Sequence, residues 1–333
     1  MMDIKKYILL SVILILIFSL SIQAGDMKKI AQSQMQWLSI PVGPRASALG
    51  GAFTAIANDA SSVFWNPAGI AYTTGGNVFL SQTNWIADIN VNAAAASYEA
   101  GNIGIFSVNF SSVNWGTIHG TRRDDEASSG FVETGDFSPT NWGVGLAYAR
   151  KISDRFAIGG NLKYVYENLG SGLTGTMGEG KMYTARMNLM TLDIGTIYNT
   201  GFKDLRLAMS LQNFSQERQY REEKYPLPLT FKFGLAMDLV SLWMQQSEHK
   251  VTLAVDAIHP RDYSERMCFG LEYGFKNMIF LRGGYKANYD EQDLTLGAGL
   301  QYMIDNLGLG IDYGYIQFKH FDAVQMFGIT LKF

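Results

Sequence analysis

Four charged residues in the second half of the chain ask for an explanation first: Asp256, Glu272, Arg282 and Asp312. Each occupies a polar position in a run that alternates with large apolar residues. A strand of period two would therefore turn all four to one face. Charges on an enclosed face are costly unless paired or wet. Glu272 and Arg282 lie on successive runs joined by a short turn, so they are expected to pair. The set reads either as ion pairs that hold an enclosed wall together or as a polar lining that selects a permeant.

Other reactive side chains offer less. The four histidines, His119, His249, His259 and His320, are scattered over connections and strand ends. No H-E-x-x-H, G-x-S-x-G or G-x-x-x-x-G-K-[ST] pattern occurs, and no nucleophile–base set is apparent. The single cysteine, Cys268, can form neither an internal disulfide nor a multi-cysteine metal site. Gly175-Thr176-Met177-Gly178-Glu179-Gly180 opens no helix, so it reads as a loop rather than a phosphate cradle. Arg122, Arg123, Asp124 and Asp125, continued by Glu126, form a charge run in the longest connection. Such a run is first of all a solvated surface; read functionally it would bind lipopolysaccharide or a protein partner. The cluster Glu217, Arg218, Arg221, Glu222, Glu223 and Lys224 takes the same reading. No enzyme activity, cofactor or metal is expected. A net charge of −3 and a pI of about 5.8 argue against nucleic-acid binding through a basic face.

The elements that must position these groups are strands. The chain is 333 residues long, 47% hydrophobic, with 35 glycines and 43 aromatics among only 7 prolines. From about Gly76 to Phe333, runs of about ten residues alternate and are separated by turns. Leu307, Leu309, Ile311, Tyr313 and Tyr315 alternate with Gly308, Gly310, Asp312 and Gly314. Met267, Phe269, Leu271, Tyr273 and Phe275 alternate with Cys268, Gly270, Glu272 and Gly274. A water-facing sheet surface would carry Lys, Glu and Thr; here the second face is glycine-rich. That pattern fits large apolar residues against lipid and small residues crowding a barrel interior. About fourteen strands can be marked, an even number. Connections after the third, fifth and seventh (115–139, 169–181, 215–228) are long and the intervening ones short, as if on opposite rims. The last run ends in Phe327, Ile329, Leu331 and Phe333 on one face, suited to closing the barrel on the first strand. The expected fold is all-β: a transmembrane antiparallel β-barrel of about 14 strands over 76–333.

Two N-terminal segments depart from this pattern. Residues 1–24 have the layout of a cleaved secretory leader: Lys5 and Lys6, an apolar run of thirteen positions from Ile8 to Leu20, and small residues up to Ala24. Within 25–75, Gly43 to Ala71 does not alternate. Ala46 to Ala57 has helical residue content, and Trp65-Asn66-Pro67-Ala68-Gly69 reads as a turn. A compact segment of small residues fits inside a barrel as a helical plug, or hatch.

This segment carries a resemblance. Gly43-Pro44-Arg45-Ala46, Leu49-Gly50-Gly51-Ala52, Ala57-Asn58-Asp59-Ala60 and Phe64-Trp65-Asn66-Pro67-Ala68-Gly69 resemble the N-terminal signature of PorV/PorQ-type outer-membrane proteins. The Asn-Pro-Ala element is shared with the hatch of FadL-type fatty-acid transporters. Leu211-Gln212-Asn213-Phe214 and Leu281-Arg282-Gly283-Gly284-Tyr285 are similar to the PorV side. The resemblance implies a FadL-like barrel in the bacterial outer membrane and a role in type IX secretion, with secretion components and exported client proteins as partners. The alternative it implies is a FadL-type channel for hydrophobic small molecules such as long-chain fatty acids, passing a hatch at Asn66–Gly69. On either reading the hatch residues are Arg45, Gly50, Gly51, Asn58, Asp59, Trp65, Asn66, Pro67, Ala68 and Gly69.

Overall fold

The alternating runs become the staves of a barrel. The structure, a computed structural model, describes residues 32–174, 181–219, 224–244 and 247–333. The expected leader, the glycine-rich stretch 175–180 and the charged residues Arg221, Glu222 and Glu223 lie outside the described residues. In chain order the strands are β1 (Gly76–Asn84), β2 (Asn90–Glu99), β3 (Ile105–Asn114), β4 (Ile118–Arg123), β5 (Phe131–Phe137), β6 (Thr140–Ser153), β7 (Phe156–Thr174), β8 (Lys181–Asn199) and β9 (Arg206–Phe214). They continue as β10 (Arg218–Gln219), β11 (Lys224–Tyr225), β12 (Thr230–Asp238), β13 (His249–Pro260), β14 (Arg266–Phe275), β15 (Ile279–Ala287), β16 (Gln292–Ile304), β17 (Leu307–Phe318) and β18 (Val324–Lys332).

Fourteen of these form one closed barrel in which β1 pairs with β18. All its pairings are antiparallel, and closure sets Leu80 opposite Ile329. Closure removes the unpaired edge an open sheet would present. The pairs β4–β5 and β10–β11 are separate two-stranded hairpins within two of the long connections. The wall has the expected two faces. On β17, Leu307, Leu309 and Ile311 are exposed on the outside, while Gly308, Gly310, Asp312 and Gly314 are buried within. Large apolar residues exposed all round the outside, among them Leu146, Leu271, Leu281, Leu296 and Phe327, make a continuous surface for lipid.

The structure departs from the sequence reading in three places. The hatch helix does not run from Ala46 to Ala57. It is a single short helix, α1 (Pro44–Ala48), followed by turns. Gly50 and Gly51 adopt φ of 69° and 88°, a left-handed conformation that ends a helix. The connection read as 169–181 is largely strand, because β7 and β8 each reach 19 residues after a register shift between Asn168 and Ser171. The loop 115–139 contains the β4–β5 hairpin.

The core is the plug. Ala46, Leu49, Ala52, Phe53, Ile56 and Trp65 pack with Ile197, Ala208, Ala236, Ala254 and Cys268 from the wall. A second cluster sets Val63, Ile70 and Ala71 against Ala95, Ala147, Ala149 and Ala157. Small wall residues face the plug and leave it room.

Candidate functional site

The plug sits in notches made by glycine. A Cβ built on Gly314 or Gly328 would come within 2.8 Å of Pro44 atoms. One on Gly270 would meet the Leu49 carbonyl at 2.7 Å, and one on Gly284 would land on the Leu49–Gly50 peptide. Across the lumen, a Cβ on Gly159 would meet the Pro67 carbonyl at 2.6 Å, and one on Gly195 would fall on Asn66 Oδ1. Gly159, Gly195, Gly270, Gly284, Gly297, Gly314 and Gly328, one from each of β7, β8 and β14–β18, are thus a template of the plug. Asn66, fully buried, fills its notch with three hydrogen bonds. Its Nδ2 donates to the carbonyls of Thr54 (2.9 Å) and Thr196 (3.2 Å), and its Oδ1 accepts from the Ala68 N–H (3.1 Å). Trp65 Nε1 donates to the Val42 carbonyl at 2.7 Å, and its own carbonyl accepts from Ser210 and Gln212. Asp59 caps the turn 60–64, and Gly69 packs where a Cβ would strike Ala57 and Ser62.

A charge network fastens the plug to the wall. Glu272 and Arg282 face each other across β14 and β15 and pair at 2.7 Å. Arg282 also pairs with Asp312 at 2.6 Å, and its side chain is entirely buried. Arg45, from α1, grips Glu272 through Nε (3.0 Å) and Nη2 (3.1 Å). Its Nη1 donates to Asn58 (2.7 Å) and Asp59 (3.2 Å). Arg45, Asn58, Asp59, Glu272, Arg282 and Asp312 therefore form one cluster. Asp256 shares the lumen but stands apart: its Oδ2 accepts the backbone N–H groups of Phe53 (3.2 Å) and Thr54 (3.0 Å). The sequence brought Glu272 and Arg282 together but gave no register that would bring Arg45 to them.

Outward of the plug lies a cavity of about 610 Å³. Its floor is Gly50, Gly51, Val63, Phe64 and Trp65, and its walls include Trp37, Leu38, Ile40, Trp85, Val91, Trp115, Val165 and Ile258. Four cations enter this mostly apolar space: Lys163, Lys232, Arg266 and Lys286. Lys163 pairs with Asp193 at 2.8 Å. Lys232 and Lys286 are more than nine-tenths buried, and no carboxylate lies within ion-pair distance of either among the described residues. Lys232 sits over the Trp65 ring at 4.5 Å; Lys286 donates to Gln292 Oε1 at 2.5 Å and lies 5.0 Å from the Tyr289 ring. Arg266 is held between the rings of Tyr263 (4.2 Å) and Tyr289 (4.3 Å). Burial pushes the Tyr289 hydroxyl well above its ordinary pKa, so it stays protonated. Sequence reading missed these cations, although Lys232 and Lys286 occupy the same polar phase of the alternation as Asp256 and Glu272. A second cavity of about 350 Å³ lies on the other side of the plug, lined by Ala55, Ala57, Asn58, Tyr72, Ile197 and Arg206 among others.

The charge run is remote from the lumen. Arg122 and Arg123 end β4, and Asp124 and Asp125 follow in the hairpin turn. Arg123 pairs with Asp125 at 2.8 Å, and Arg122 approaches Asp124 at 3.9 Å. In the same hairpin the exposed His119 ring meets Asp136 at 2.6 Å.

Comparison with known proteins places these features. The model of the uncharacterised protein family UPF0164 matches residues 17–221, more than half of the chain. The chain belongs to the UPF0164 family. A UPF0164 protein of Treponema pallidum (strain Nichols) is 33% identical over 135 residues, 40% of this chain and 29% of that protein, so the match spans under a third of the relative's length. In fold, this UPF0164 chain is similar to the toluene transporter TbuX of Ralstonia pickettii (TM-score 0.58, 14% identity, 88% of this chain and 98% of that one). It is also similar to a FadL homologue of Pseudomonas aeruginosa (0.54, 10%, 88% and 98%) and to the toluene transporter TodX of Pseudomonas putida (0.53, 11%, 86% and 96%). The barrel thus has a FadL-like fold.

Proposed function

We propose that this protein is a non-enzymatic outer-membrane channel that admits a hydrophobic small molecule bearing an acid group, of the long-chain fatty-acid type, and passes it inward beside the plug. The observation that carries this reading is the outer cavity: aromatic and aliphatic walls around Lys232 and Lys286, two buried ammonium groups with no carboxylate within ion-pair distance among the described residues. A buried charge needs a counter-charge or water. An amphipathic acid supplies the counter-charge and an apolar tail together. A hydrocarbon such as toluene, named for two of the structural neighbours, would bring neither lysine a counter-charge. Outer-membrane residence and export through the leader at 1–24 belong to the same proposal, supported by the apolar exterior and by the leader-like sequence. The likeness to transporters favours the channel over the secretion-adaptor role, which rests on motif resemblance alone.

The test is equilibrium binding of palmitate and of hexadecanol to the purified barrel in lipid nanodiscs. The reading expects saturable palmitate binding, at least about tenfold tighter than the alcohol, from charge-assisted hydrogen bonds. Equal binding of both, or of neither, contradicts it. Pull-down from native membranes tests the alternative, with recovery of secretion components and client proteins as its expected result.

A further inference from the structure

The alternation that turns Asp256 and Glu272 into the lumen also turns four polar groups inward at the rim of short connections. Lys151 follows the lumen positions Ala147 and Ala149 on β6, and Asn199 follows Ile197 on β8. Arg206 precedes Ala208 and Ser210 on β9, and Lys250 precedes Thr252 and Ala254 on β13. Arg206 stands opposite Asn199 in the sheet. Asn199, Arg206 and Lys250 line the cavity of about 350 Å³ on the inner side of the plug, and Lys203, from the turn before β9, joins them. Lys151 lies 4.8 Å over the ring of Tyr72, which lines the same space.

The side chains around this cavity mostly have hydrogens to give. Asn58 Oδ1 already accepts from Arg45 Nη1 at 2.7 Å, which leaves the Asn58 amide N–H groups. Tyr72 Oη accepts from Asn199 Nδ2 at 3.0 Å, which leaves its own O–H to donate. Arg206 is half-buried, and no carboxylate lies within ion-pair distance of Arg206, Lys203 or Lys250 among the described residues. The carboxylate in the lining is Asp204, which is exposed. Asp238, at the inner end of the neighbouring β12, is engaged by the N–H groups of Val240 (3.0 Å) and Val251 (3.2 Å).

We infer that the inner cavity is a second carboxylate site, with Arg206 as its anchor and Tyr72 and Asn58 as its neutral donors. The guanidinium fork matches the two oxygens of a carboxylate. Ala55, Ala57, Ile197 and Leu205 offer apolar contact to the carbons next to it. With little more than half the volume of the outer cavity, this space suits a short acid, or the head of a long one. Lys203 and Lys250 are exposed, so they attract an anion through solvent rather than grip it. The inner site is therefore weaker than the outer one and fills after it, which suits a place of release. Its purpose rests on the channel reading; its binding rests on the donors of the inner cavity alone.

Octanoate labelled with ¹³C at its carboxyl, added to the full barrel in nanodiscs and read by NMR against empty nanodiscs, tests this. Two protein-bound signals are expected, the second filling at a concentration at least about tenfold higher than the first. Arg206→Met should weaken the second by about tenfold or more, the loss expected for a charge-assisted pair, and leave the first unchanged. Lys232→Met with Lys286→Met should remove the first and leave the second. Tyr72→Phe, which removes one neutral donor, should weaken the second by about threefold or more and serves where Arg206→Met does not fold. A second signal that is absent, or that persists undiminished in whichever of these two variants folds, overturns the inference and leaves the outer site standing. The Arg206-dependent signal without the lysine-dependent one upholds it and defeats the channel reading instead.

Discussion

Replacing Arg282 by Met is the sharpest test of the lumen charge network. Arg282 is completely buried and pairs with both Glu272 (2.7 Å) and Asp312 (2.6 Å). The two carboxylates do not lose equally. Glu272 keeps the two-bond contact with Arg45, whereas Asp312, about one-tenth exposed, has no other cation within ion-pair distance among the described residues. Breaking a buried pair so that one charge is orphaned costs about 3–5 kcal/mol. That is roughly two to four decades in a folding equilibrium. Arg282→Met combined with Asp312→Leu removes the orphan, and replacing a buried pair by apolar residues is often close to neutral. Arg282 Nη2, buried without a partner, adds to the cost of the native arrangement and disappears in both variants. The double variant is therefore expected to recover more than half of the loss. The assay is urea-dependent folding into lipid vesicles, with the folded fraction read from the mobility of unheated samples on gels. A single variant as stable as the parent, or a double variant less stable than the single one, would refute the reasoning.

Three further outcomes are expected. Gly195→Val puts side-chain atoms where Asn66 Oδ1 lies, so the wall should still close while the plug is displaced, read as increased conductance in planar bilayers against an unchanged mobility shift on gels. Asn66→Ala leaves the Thr54 carbonyl and the Ala68 N–H short of partners, at about 1–3 kcal/mol for each such buried group, and should expose the plug to added protease without loss of the barrel. In the outer hairpin, the hydrogen bond to Asp136 and then its charge raise the pKa of His119. The pairing should therefore be complete below the ordinary histidine value and fade as pH rises through the raised one; an NMR titration should show a lower His119 pKa in Asp136→Asn, and equal values would remove the pair from the account.

Much of the barrel was legible because two solvents enforce a period of two. Leu307, Leu309 and Ile311 face outward while Gly308, Gly310 and Asp312 face the barrel interior, and the same alternation marks β14, β15 and β18. It fades where both faces meet water. The β4–β5 hairpin, exposed on both faces, reads as loop for that reason. The plug was legible as a compact element of small residues, but its helix stops at Ala48 because Gly50 and Gly51 turn the chain. Pairing between plug and wall was not legible. Arg45 and Glu272 are 227 positions apart, and no local pattern sets how deep the plug sits. The same gap hid the meaning of lumen glycines such as Gly195, Gly270, Gly284 and Gly314, which make room for particular plug atoms, and of Lys232 and Lys286, which matter only once the cavity around them is known.

The central claim is that an amphipathic acid occupies the outer cavity. Trp37, Trp65, Trp85 and Trp115 line that space, whereas the remaining two of the six tryptophans, Trp142 and Trp243, do not. The decisive measurement is tryptophan fluorescence of the barrel in nanodiscs, titrated with dibromostearate, whose bromines quench only at short range. The account predicts quenching that saturates at one acid per barrel and is lost when Lys232 and Lys286 are both replaced by Met. Quenching that rises without saturation, or that persists undiminished in the double variant, would contradict it.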